Sequence, residues 1–344
     1  MNTQDVTRSV IRLELVRAFR GMESNPKRTL RKLADLGKVC ARGSVQKEIF
    51  GIFQQCLRYK DSPYFSVMQN LVRNVSAENL TTFGMNLGYN SWTDGAKKIR
   101  AKRDNEGILT SWIQILDLSK SEWTAENLNA FIDFWKTYGV CTYAFLPSAS
   151  FSENTFLPEV FQKQDDCAFL WFLSDVDSFC INMDDYKDVQ NVMPIFKMEA
   201  LMESEIHQIL SAHKKLYGVY QLYNEQNIRE CISRKSLGLL SSLATPFLFF
   251  LSEDRKSDTS SVASRFAVDT RMKQAYPFLA VDFYSDCIFI CVCIYISKIS
   301  QRAGHGSIFW SSLRQCDVVL HLSDTHAGRW GHSCMVDFLK FLGL

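Results

Sequence analysis

The sequence predicts an α/β protein, with a helical N-terminal region followed by a mostly parallel sheet. Two observations carry this. In residues 1–105 apolar side chains recur at helical spacing, whereas from about 112 onward short apolar runs of strand length alternate with helical stretches. Such alternation builds a full or partial barrel, or a doubly wound layer. A polar turn, Asp104-Asn105-Glu106-Gly107, separates the two regimes. With 344 residues, 47% of them apolar, the chain can bury a large core.

The first helices are marked by Ile11, Val16 and Phe19, then Leu30, Leu33 and Leu36, then Ile49, Ile52, Phe53 and Cys56. Pro26, Gly37, Gly43 and Pro63 punctuate them, and Ser76 before Ala77-Glu78-Asn79-Leu80 is a helix cap. Residues 83–92, rich in Gly and Asn, read as an ordered connection into a helix over 93–103. Strands are expected at 112–116, 140–146, 168–173, 192–198, 219–223, 247–251, 278–283 and 287–296, since parallel strands buried on both faces read as continuous apolar runs. Between the first two, Thr124 caps a helix over 125–138 that turns Leu128, Phe131, Ile132 and Trp135 to one side. Further helices are expected over 203–214, 228–240 and 262–275.

The net charge of +2 hides an asymmetry: residues 1–105 hold 19 Lys or Arg against 9 Asp or Glu, and the remainder holds 20 against 28. A basic first third suits nucleic acid, an anionic membrane or the acidic remainder of the same chain. No zinc-finger spacing, RNA-binding signature, phosphate-cradling glycine loop or nucleophile elbow accompanies it. The longest apolar stretch, 287–296, is about half of the roughly 20 residues needed to span a bilayer. No secretory signal follows Met1, so a cytoplasmic location is expected, with most of the eleven cysteines reduced and buried.

Several blocks together resemble radical S-adenosylmethionine proteins that carry a helical N-terminal extension. They are Asn70-Leu71-Val72-Arg73-Asn74-Val75-Ser76-Ala77-Glu78-Asn79-Leu80, Asn86-Leu87-Gly88-Tyr89-Asn90, Trp112 opening the first strand, Cys167-Ala168-Phe169-Leu170-Trp171-Phe172-Leu173-Ser174-Asp175, and Asn191-Val192-Met193-Pro194. Near the end, Tyr276-Pro277-Phe278-Leu279-Ala280-Val281-Asp282-Phe283, Cys293, Gly304-His305-Gly306, Cys316 and His321-Leu322-Ser323-Asp324-Thr325 resemble the region where such proteins place extra cysteines. The resemblance implies a basic α-helical domain over 1–105 and a partial (β/α) barrel of the radical S-adenosylmethionine or TIM-like type over 106–300. Residues 301–344 would be an extension resembling a truncated auxiliary-cluster region.

The departures are as informative. Members of that family hold a four-iron cluster by Cys-x-x-x-Cys-x-x-Cys just after the first strand, because soft thiolates suit iron-sulfur clusters. Here Asp117, Ser119, Lys120, Ser121 and Glu122 stand in that loop, and no cysteine does. The Gly-Gly-Glu-Pro segment that follows the family's second strand is replaced by Phe145-Leu146-Pro147-Ser148. The expectation is a vacated cofactor site with no catalytic residue and no binding of S-adenosylmethionine. A binding, accessory or regulatory role follows, with a small-molecule or protein partner at the barrel mouth. Two alternatives stand beside it: an enzyme that keeps a [4Fe-4S] cluster at Cys293 and Cys316, with Cys334 as a further thiol, and a regulator that binds nucleic acid through the basic helices. Cys287, Cys291 and Cys293 would share one face of a strand and pack in the core. His305, His321, His326 and His332 lack paired zinc-ligand spacing. Asp175, Glu199, Glu225 and Glu253 fall near strand ends, where barrel sites are built.

Overall fold

The computed structural model describes residues 3–41, 44–118, 123–147, 155–174, 179, 183–240, 245–255 and 261–295. Seven parallel strands, β1 (Ile113–Leu116), β2 (Thr142–Phe145), β3 (Ala168–Leu173), β4 (Val192–Lys197), β5 (Gly218–Tyr223), β6 (Phe247–Ser252) and β7 (Leu279–Asp282), lie side by side in sequence order and curl into a half-barrel. Sequential parallel order needs a crossover after every strand. The crossovers hold α7 (Ala125–Tyr138), α8 (Leu157–Lys163), α9 (Met183–Tyr186), α10 (Met198–Met202), α11 (Ile206–Ala212), α12 (Ile228–Cys231), α13 (Arg234–Leu240) and α14 (Val262–Lys273). Right-handed crossovers put them all on one face, the outer one in a curled sheet.

Alternation along each strand then sorts the apolar residues into two cores. Tyr143, Phe145, Phe169, Trp171, Phe196 and Phe250 pack outward against Leu128 and Ile132 of α7, Phe161 of α8 and Ala267 of α14. Ala144, Leu170, Phe172, Ile195, Tyr220 and Phe249 form the inner core. Because both faces are covered, strands β2 and β3 are buried at every position, which is why they read as unbroken apolar runs.

The N-terminal helices are α1 (Thr3–Ser24), α2 (Pro26–Cys40), α3 (Ser44–Cys56), α4 (Pro63–Asn74), α5 (Ala77–Gly84) and α6 (Ala96–Glu106). Leu71, Leu80, Phe83 and Ile99 of this region belong to the same core as the inner face of the sheet. Residues 83–92 are not a connection. They fall in a helical rod from α5 to α6 whose middle, Met85–Gly95, is wound as a π-helix. Gly95 meets Gly139 there: a Cβ on Gly95 would collide with the Gly139 carbonyl oxygen, and one on Gly139 would lie 2.5 Å from that of Gly95. Gly139 also sits at φ 98° as the cap of α7, a conformation suited to glycine.

Residues 287–295 of the eighth expected strand, 287–296, are instead part of helix α15 (Phe283–Tyr295). A short apolar run does not distinguish strand from buried helix by period alone. Here the chain leaves the last strand and covers the inner face with Phe283, Tyr284, Cys287 and Ile294. Trp112 Nε1 anchors it by donating to the Cys287 carbonyl at 2.9 Å. Thr124 caps α7 in a full capping box with Asn127, and Ser76 caps α5, both as the sequence implied. Among the described residues no helix is long and apolar enough to cross a membrane.

Candidate functional site

The two edges of the parallel sheet are finished differently. At the amino-terminal edge, side-chain amides of the α5–α6 rod satisfy the backbone just ahead of successive strands. Asn79 Nδ2 donates to Gln190 O at 2.7 Å, and its Oδ1 accepts from Leu216 N at 2.7 Å. Asn86 Nδ2 donates to Asp165 O and Cys167 O at 2.7 and 2.8 Å, and Asn90 Nδ2 to Asp166 O at 2.8 Å. Ser91 and Thr142 share a hydroxyl hydrogen bond at 2.5 Å. The wide turns of the π-helix let Asn86 and Asn90 meet adjacent carbonyls of one chain segment. These are neutral, paired groups, all buried except the half-buried Asn90; they close the floor of the half-barrel.

The carboxyl-terminal edge is the mouth, and its polar groups are charged or phenolic. Asp117, one residue beyond β1, is buried and accepts from Arg255 Nη1 at 2.5 Å. Arg255 follows β6. Four strands separate β1 from β6 in the sheet, so this ion pair reaches across the mouth rather than along a ladder. Arg255 holds φ 55°, a left-handed conformation that costs a non-glycine residue about 1 kcal/mol and is kept only when its surroundings demand it. Beside the pair lies Tyr284 of α15. Burial pushes its phenol well above the ordinary tyrosine range, while the Arg255 guanidinium pulls the other way.

Alternation on β4, whose Met193 and Ile195 face inward, puts Lys197 at the rim, 4.0 Å from Glu199. Asn224 Nδ2 donates to Glu253 Oε2 at 2.7 Å, tying the ends of β5 and β6. Tyr220, inward on β5, is fully buried; burial, then the Glu199 carboxylate, raises its phenol. Neither the Tyr220 nor the Tyr284 hydroxyl has a hydrogen-bond partner among the described residues. Buried hydroxyls are ordinarily paired, because leaving one bare costs about 1–3 kcal/mol. Asp282 ends β7, where burial pushes its carboxyl up to about 7 despite hydrogen bonds from Ser285 Oγ at 2.7 Å and Tyr223 at 3.4 Å.

Of the residues singled out in the loop after β1, Asp117 is the one inside the described residues; Ser119, Lys120, Ser121 and Glu122 lie outside them, as do Asp175, Cys316, Cys334, His305, His321, His326 and His332. Cys293 belongs to α15, with its side chain outside the described residues, so the proposed Cys293–Cys316 site lies outside them too. Cys287 and Cys291 stand one helical turn apart instead of alternating along a strand. Glu199 and Glu253 do reach the mouth; Glu225 is exposed in the turn after β5. Sequence reasoning passed over Arg255, Tyr220, Tyr284 and Asp282. Arg255 carried one usable signal, a cation just past an apolar strand run, and Asp282 another, a carboxylate at a strand's end.

The residues present do not fit a cluster at the end of β1: Asp117 is a hard carboxylate committed to Arg255, and residues 117–123 supply no thiol. Among the described residues no three His, Cys, Asp or Glu side chains group closely enough to hold a metal ion. Fold and mouth together define a half-barrel α/β protein with a closed amide floor and a polar opening at the carboxyl ends of its strands. Comparisons with protein-family models, with curated proteins and with solved structures each return no match.

Proposed function

We propose that this chain is a radical S-adenosylmethionine-like protein that has lost the catalytic cluster site and works as a non-catalytic binding, accessory or regulatory protein. The observation that carries the reading is the Asp117–Arg255 pair. It occupies, with a buried carboxylate and a partly exposed guanidinium, the strand end where the resembled family needs thiolates. Its ligand is received at the mouth, where Arg255 and Lys197 offer positive charge above the buried Tyr220 and Tyr284 hydroxyls, which have no hydrogen-bond partner among the described residues. That set favours a small polar molecule bearing anionic or acceptor oxygens.

Anaerobic reconstitution with iron and sulfide tests the loss of the cluster. The expected outcome is no stoichiometric charge-transfer absorbance and no cleavage of S-adenosylmethionine; a stoichiometric cluster that cleaves it sinks the reading. The exposed Lys27, Arg28 and Lys32 on α2 favour a second reading, nucleic-acid binding. It requires affinity that falls steeply with salt and is lost when these three residues are reversed to Glu.

A further inference from the structure

Two cysteines at the floor of the half-barrel are placed for chemistry that the mouth does not use. The register of β2 and β3 pairs Thr142 with Ala168, and the preceding residues, Cys141 and Cys167, stand side by side where Ala168 N donates to Cys141 O at 2.9 Å. Neighbouring strands run about 4.8 Å apart, inside the Cα separation that a disulfide spans. Both thiols belong to the outer core, and Cys167 Sγ donates to Asp166 Oδ1 at 3.7 Å. Neither is in a disulfide.

The two differ in a way that assigns roles. Cys141 keeps 8% exposure, whereas Cys167 has none. Lys136, held by Asp166 at 2.6 Å, and Lys98 supply positive charge on the Cys141 side. The neighbouring Cys167 thiol, then Lys98 and Lys136, hold the Cys141 thiol below the ordinary cysteine range against burial and the Asp166 carboxylate, while Cys141 and burial raise Cys167. Two thiols side by side at disulfide separation, the less deeply buried of them beside two lysines, are the arrangement of an oxidisable cysteine and its resolving partner.

We infer that Cys141 and Cys167 form a peroxide-sensitive dithiol that closes to a disulfide between β2 and β3. The Cys141 thiolate attacks one oxygen of hydrogen peroxide, giving a sulfenic acid and releasing hydroxide, which takes up a proton as water. The Cys167 sulfur then attacks the sulfenic sulfur and expels its hydroxyl, which leaves as a second water with the Cys167 proton. Two thiols and one peroxide thus become one disulfide and two waters. The bond would staple the start of β2 to the start of β3, which Asn86 and Asn90 already hold.

The test is mild hydrogen peroxide on the full chain, followed by acid quenching, alkylation and peptide mapping. The expected result is a mass loss of about 2 Da, mapped to a 141–167 cross-link that a reductant reverses, with a higher melting temperature for the oxidised protein. In Cys167→Ser, Cys141 should stop at a sulfenic acid that dimedone labels. Oxidation of other cysteines while Cys141 and Cys167 both remain alkylatable overturns the inference. So does a cross-link of either residue to a different cysteine. The wild-type map decides even if a variant does not fold.

Discussion

The floor and the mouth of the half-barrel sit on the same seven strands, yet they are built from different chemistry. At the floor, Asn79, Asn86 and Asn90 turn neutral amides onto backbone groups, each with its partner at hydrogen-bond length. At the mouth, Asp117 meets Arg255, Asn224 meets Glu253, and two buried phenols have no partner among the described residues. Amides paired with backbone groups contribute stability and leave those groups nothing to offer a ligand. A charged edge with spare donors is less economical for the fold and better suited to binding. The same division runs through barrel folds in general, where loops at the carboxyl ends of strands carry the site and the opposite face carries stability.

The comparison breaks first if floor substitutions are cheap. Asn79→Ala strands both the Leu216 N–H and the Gln190 carbonyl, and should cost about 3 kcal/mol in urea unfolding. A loss below about 1 kcal/mol would show that water replaces the amide and that the floor is not closed. Gly139→Ala comes next, at about 2 kcal/mol, because it forces a side chain into a left-handed cap and against the Gly95 carbonyl.

The mouth should respond less in stability and more in charge. Arg255→Ala leaves a buried Asp117 without its cation, although the partial exposure of Arg255 screens the loss; about 1–2 kcal/mol is expected. Asp117→Asn added to it should recover part of this, and a double-mutant cycle measures the coupling. If Arg255→Ala leaves stability unchanged but abolishes binding of small anions seen by wild type in thermal-shift titration, the division of labour is sharpened.

The pH profile separates the two edges again. Asp282 has a folded pKa of about 7, above its ordinary carboxylate value, so the folded state binds the extra proton between roughly pH 4 and 7. Stability contributed by this group is therefore present at the acid end of that window and lost as pH rises through 7. Asp282→Asn should flatten this part of the profile. At the floor, burial lowers Lys215 to about 8, so the unfolded chain binds more protons above that value and stability rises as pH goes from about 8 towards 10.5. Lys215→Met should remove that smaller rise in the alkaline limb of a denaturation series.

Much of the scaffold was legible because its signals are local. Strands buried on both faces announce themselves as apolar runs such as Ala168–Leu173, and Thr124 and Gly139 bracket α7 through bonds within a turn of its ends. The run 287–296 misled because residues such as Cys287 and Ile294 suit a strand face as well as a helix buried on the inner core, and only the position after β7 decides between them. The π-helix was hidden for another reason. The carbonyls that reward Asn86 and Asn90 lie 76 to 81 residues further along the chain, beyond any local pattern.

By itself the sequence located the seven observed strands, together with an eighth that is helical, the helix caps, the basic first third and a loop after β1 that contains no cysteine. These depend on period, composition and contacts within a few residues. Tertiary structure alone decided that Asp117 is held by Arg255, 138 residues away, and that Tyr220 and Tyr284 bring to one interior hydroxyls with no partner among the described residues. The physical reason is the curl of the sheet. It brings the ends of distant strands together at the mouth, and no repeat along the chain encodes which charged side chains then meet.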